Sequence, residues 1–134
     1  MSGLPVLKER TQLAKTTVKF SVTNYSKVTL DLLQIDGKPA VLDLYGSFHD
    51  MPATIAAEES YTFDLQASAR AIGGFVYSNY DKPSELFVLM ACAAKQDGID
   101  NAMKFVSTLS NVVVSAVMTT GEFDPVCTIT LKDK

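Results

Sequence analysis

Tryptophan is absent from this chain, histidine occurs once, and two cysteines are all the thiol it has in 134 residues. Each shortage removes a class of function. With His49 as the only imidazole, a metal site would need carboxylates brought from elsewhere in the chain. A serine or cysteine nucleophile would have to recruit that same residue as its base. A loop histidine with no special role is the simpler reading. Cys92, within Met90-Ala91-Cys92-Ala93, has no neighbouring positive charge to lower its thiol pKa. Cys92 and Cys127 match no zinc or redox spacing; two buried free thiols is the plainer reading, with a disulfide between neighbouring strands left open. Basic residues are also few and scattered, 12 against 15 acidic ones, so no basic stripe exists to hold nucleic acid. No apolar run approaches the roughly 18 residues of a membrane-spanning helix, and the first residues lack a signal-peptide core. Synthesis in the cytoplasm is therefore expected, with any release by an unconventional route.

What the chain does have is hydrophobic material, 47% of its residues, distributed with a period of two. Val18, Phe20 and Val22 alternate with Lys19, Ser21 and Thr23, which places one set on each face of a strand. Tyr61, Phe63 and Leu65 alternate with Thr62, Asp64 and Gln66 in the same way. Val28 to Ile35 changes phase at Leu32-Leu33, the mark of a bulge or a bend between sheets. Further strands are expected at Val41 to Tyr45, Phe75 to Tyr80, Glu85 to Cys92, Met103 to Leu109, Asn111 to Met118 and Val126 to Lys132. Turns fall at Asn24 to Lys27, Asp36 to Pro39 and Asp81 to Ser84, and loops at Gly46 to Pro52 and Ala93 to Asn101. This spacing predicts an all-β antiparallel sandwich over residues 16–134, a single domain, preceded by a short helix or arm over residues 1–15.

Polar candidates for chemistry have ordinary explanations. Asp31, Asp43 and Asp64 lie opposite apolar strand neighbours, where acids keep a sheet face wet rather than form a catalytic pair. Asp97-Gly98-Ile99-Asp100-Asn101 offers oxygens but lacks the spacing and closing glutamate of a calcium loop. Gly73-Gly74 opens a strand, not the helix a phosphate loop requires. No catalytic residue, metal or cofactor is expected. Tyrosines are more suggestive, since each offers an apolar face and a hydroxyl to a sugar, a lipid head group or a protein; packing within strands would use them equally well.

The order of these segments resembles the aegerolysin and actinoporin-like superfamily of β-sandwiches, which includes lipid-binding, pore-forming and lectin-like proteins. The likeness is carried by Val18-Lys-Phe-Ser-Val-Thr-Asn-Tyr-Ser26, by Leu30 and Gly37, and by Met51-Pro-Ala-Thr-Ile55 with Glu58 and Phe63. Gly74-Phe-Val-Tyr77, the turn at Asp81-Lys82, Leu86-Phe-Val-Leu-Met90 and Val126-Cys-Thr-Ile-Thr-Leu131 continue it. The resemblance implies a non-enzymatic module that binds membrane lipid head groups or glycans, with a second pore-forming protein as partner if the system is toxic. It also implies that Asp97 to Asn101 is the lipid-facing loop. A site at one loop end is then expected from Tyr77, Tyr80, Asp81, Lys95, Asp97, Asp100 and Asn101. Two departures bear on lysis: the loop from Ala93 to Asn101 carries no aromatic, and residues 4–15 make about three helical turns, roughly 18 Å. That falls short of a hydrocarbon core of about 30 Å, so the chain is not expected to form a pore alone. The alternative function is self-association: a structural or protein-interaction sandwich, a homo-oligomer without lytic activity. The apolar runs Leu86 to Met90 and Val112 to Met118 favour it.

Overall fold

The computed structural model describes residues 15–119 and 123–134, with the side chain of Asp97 outside the description. The helix or arm expected over residues 1–15 therefore lies outside the described residues, save Lys15, which has no regular structure. Among the described residues there is no α-helix, only a single 3-10 turn at Lys95–Asp97.

The described residues form thirteen strands: β1 Thr16–Asn24, β2 Leu30–Leu32, β3 Gln34–Ile35, β4 Lys38–Pro39, β5 Val41–Tyr45, β6 Ser47–His49 and β7 Thr54–Ile55. After them come β8 Ser60–Ala67, β9 Ala71–Asn79, β10 Leu86–Ala93, β11 Ala102–Ser107, β12 Val112–Met118 and β13 Val126–Asp133. One sheet has the order β12-β13-β1-β8-β6. The other runs β11-β10-β9-β2-β7, with β5 also paired to β9. The strands are antiparallel except β1 and β13, which run parallel with Phe20 opposite Cys127 and Val22 opposite Ile129. The expected antiparallel β-sandwich is observed, with this one parallel pair inside it. First and last strands meet in mid-sheet, and each carries an antiparallel ladder on its other side, β1 with β8 and β13 with β12.

The period of two becomes burial. Val18, Phe20 and Val22 of β1 face Phe75 and Tyr77 of β9 and Phe87 and Leu89 of β10 across the core. Phe75 is its hub: ring centroids of Phe20, Phe63, Tyr77 and Phe87 lie 5.4, 5.6, 5.5 and 6.2 Å from it, all close to edge-to-face. Glycine marks the place where backbone comes closest. A Cβ at Gly74 would stand 2.4 Å from Leu89 O and inside Met90 Sδ, so Met90 packs over β9 only because no side chain is there.

The phase change at Leu32-Leu33 is a real break. β2 ends there, the chain leaves the sheet through the β3–β4 hairpin, and β5 returns to the same edge of β9. Asp36 and Gly37 turn that hairpin with φ of 51° and 77°, the pair of positive values that suits a two-residue Asp-Gly turn. The expected loop Gly46 to Pro52 contains β6, whose Phe48 reaches Phe20 and Phe75 at 6.1 Å. Both thiols are free. Cys127 is buried, and burial pushes its pKa up to about 12, whereas Cys92 is half-buried.

Candidate functional site

Strand direction divides the loops between two ends of the sandwich. β10 is paired with β9 from Leu86 opposite Ser78 to Ala93 opposite Ala71. Tyr80 and Asp81 precede β10, and Lys95 to Asn101 follow it, so eight residues of strand, about 26 Å, lie between them. The residues expected to share one site occupy opposite ends. Tyr77 belongs to neither: it is fully buried, and its hydroxyl donates to Pro52 O at 2.6 Å. Desolvation is the main force raising its pKa, as expected of a core phenol.

The end that follows β10 holds a cleft of about 640 Å³ where β11 and β12, edge strands of the two sheets, diverge. Lys95, Asp100 and Asn101 line it with Met103, Ala116 and Met118. Lys95 Nζ lies 2.8 Å from an Asp100 carboxylate oxygen, and that hydrogen bond and charge hold Asp100 below the usual carboxylate range. Arg70 stacks over Tyr45 at this end, 4.3 Å from the ring centroid. No group of three or more His, Cys, Asp or Glu is placed to hold a metal among the described residues, and Asp100 is already engaged with a lysine.

The opposite end is a rim built from four turns. Tyr25 stands on the β1–β2 turn and Tyr80 at the head of the β9–β10 turn; they are 62% and 65% exposed, unlike the buried Tyr77. Two asparagines fix the turns beneath them. Asn24 is buried, and its amide nitrogen donates to Val28 O at 2.7 Å and Ala56 O at 3.2 Å. Its Oδ1 accepts from Ser26 N and Ser26 Oγ at 3.0 and 2.6 Å, which ties the β1–β2 turn to the β7–β8 turn. Asn79 does the same for the other two turns. Its Nδ2 donates to Glu85 Oε1 at 3.0 Å and its Oδ1 accepts from Asp81 N at 3.0 Å. Glu85 in turn accepts from Ser110 N at 3.1 Å and Ser110 Oγ at 2.6 Å. Those bonds, Ser110 first and Asn79 next, hold Glu85 below the usual carboxylate range. Tyr80 N donates to Thr29 O at 2.9 Å, joining the two tyrosine-bearing turns.

Lys27, Glu58, Glu59, Asp81 and Lys82 are exposed around these turns, so both signs of charge are present. Glu58 keeps a φ of 64° in the β7–β8 turn. Tyr80 and Asp81 are expected site residues that lie on this rim; Tyr25, expected only as part of the Asn24 to Lys27 turn, joins them there. Its position one residue past an inward-facing Asn24 was the available signal.

No family model matches the chain, and no curated protein matches it in sequence. Solved structures do share its fold. The lipid-binding protein Nakanori superposes with a TM-score of 0.72 at 10% identity, over 99% of this chain and 78% of that one. RahU, solved in complex with a Tris molecule, gives 0.66 at 13% identity over 89% and 96%. IP-1A from Alcaligenes faecalis gives 0.59 at 15% identity over 95% and 97%. At these identities the likeness is one of fold, a β-sandwich common to all three.

Proposed function

We propose that this chain is a non-enzymatic lipid-binding module that meets a membrane with the rim bearing Tyr25 and Tyr80. The observation that carries the reading is two exposed tyrosines on turns made rigid by Asn24 and Asn79. Tyrosine is suited to the membrane interface, its ring among the head groups and its hydroxyl still hydrated. A rim already ordered loses little entropy on binding. Lys27 and Lys82 offer partners for phosphate, Asp81, Glu58 and Glu59 for an ammonium group, which favours a head group carrying both charges. The fold likeness to a protein described as lipid-binding adds to the case.

Vesicle flotation tests it. Vesicles of zwitterionic lipid should carry the protein to the top of the gradient, and Tyr25→Ala with Tyr80→Ala should reduce the bound fraction about tenfold or more, taking roughly 1 kcal/mol for each interfacial ring. Unchanged flotation of the double variant would defeat the assignment of the rim. A glycan array run beside it separates sugar recognition, the other ligand class the resemblance implies. Bound alone to dye-loaded vesicles, the protein should release no dye; lysis would then require a second chain.

A further inference from the structure

We propose that two copies of this chain pair through β12, edge to edge and antiparallel, to form a ten-stranded sheet across a two-fold axis at Ser115. β12 closes one side of the five-stranded sheet. Lys134 N donates to Asn111 O and Thr119 N to Val126 O, which marks the odd-numbered residues as those bonded to β13. The N–H and C=O groups of Val112, Val114, Ala116 and Met118 therefore point away from the sheet. They are spaced to bond a copy of themselves: Val114 with Ala116 of the second copy, Val112 with its Met118, and the reciprocal pairs, on the order of eight hydrogen bonds in all.

The other sheet edges are guarded and this one is not. β6 has three residues, β7 has two beside Pro52, β5 is broken by a register shift and carries Asp43, and β11 carries Lys104. Shortness, irregularity and charge are the usual protections of an edge. β12 reads Val-Val-Val-Ser-Ala-Val-Met over seven residues with no charge, proline or glycine. On its outer face Val113 and Val117 are 49% and 67% exposed, and in this register each lies opposite the other residue of the second copy. The next strand contributes Thr128, Thr130 and Lys132 to the same face, so the rows across the axis bring no like charges together. Among the described residues each chain has one such edge, so pairing consumes it and the assembly closes at two. An interface of one strand per copy is small, so the dimer is expected to be weak and to form with rising concentration.

Sedimentation velocity from the low-micromolar to the near-millimolar range should show a shift from one chain to two. Ser115 is exposed, so Ser115→Lys leaves the core untouched yet sets two ammonium groups face to face at the axis. That variant should remain a folded monomer by circular dichroism, and so should Ser115→Glu. An equimolar mixture of the two should dimerise at least tenfold more tightly than either alone. A wild-type protein that stays single throughout, a Ser115→Lys protein that dimerises as before, growth beyond two chains, or a mixture no tighter than its components would each overturn the proposal. Flotation of the Ser115→Lys monomer reports separately on the lipid-binding reading, because Ser115 lies on β12 and not on the rim.

Discussion

At the scale of single residues, three side chains carry separable duties. Phe75 contacts five other rings, Phe20, Phe48, Phe63, Tyr77 and Phe87, and Phe75→Ala should cost about 3–5 kcal/mol, read as a lowered urea midpoint. Tyr77→Phe removes only the bond to Pro52 O and should cost about 1 kcal/mol, with vesicle binding intact. Retained binding in that variant is the clearest sign that Tyr77 is a packing residue. Glu85 sets a pH dependence. Its pKa is lower in the folded protein than in the unfolded chain, so its bonds to Ser110 and Asn79 contribute fully above the ordinary carboxylate range and are lost as pH falls to the acid side of that range. Amide exchange in the Tyr80–Glu85 and Thr108–Asn111 turns should quicken over that window. In Glu85→Gln the step should vanish.

The elements show what period two can reveal and where it stops. β1, β8 and β13 were legible because Phe20, Phe63 and Ile129 alternate with polar neighbours over eight or nine residues. β6 and β7 escaped because three and two residues are too few to establish a period; Phe48 became core through tertiary packing alone. β10 read as apolar on both faces. It alternates between buried and half-buried residues, with Val88 and Met90 lying beside Gly74 of β9 on the outer side. That packing gives a test of the glycine. Gly74→Val would drive two methyl groups toward Leu89 O and Met90, and should destabilise the protein by about 2 kcal/mol or more, or prevent expression of soluble chain. The candidate site was harder to read than the strands. Tyr80, Asp81 and Lys95 to Asn101 are expected at one loop end, yet a single intervening strand carries the chain from one end of a sandwich to the other. Parity of strands, counted from the sequence, would have separated them.

For the whole molecule, the core is continuous from Val18 to Leu131 and both thiols are free within it or at its margin. Cys127 should therefore resist alkylation until global unfolding, while half-buried Cys92 reacts earlier; counting labelled thiols along a urea titration distinguishes the two. The parallel pairing of β1 and β13 also fixes the polarity of the particle. β1 starts at Lys15 and Thr16 on the cleft end, whereas β13 finishes at the rim, where Asp133 Oδ1 accepts from Lys27 N at 3.1 Å. A sensor chip coupled on the Lys15 side would leave both rim tyrosines facing solution. Attachment through Lys134 would press them against the support, and the vesicle capture expected of the free protein should be lost.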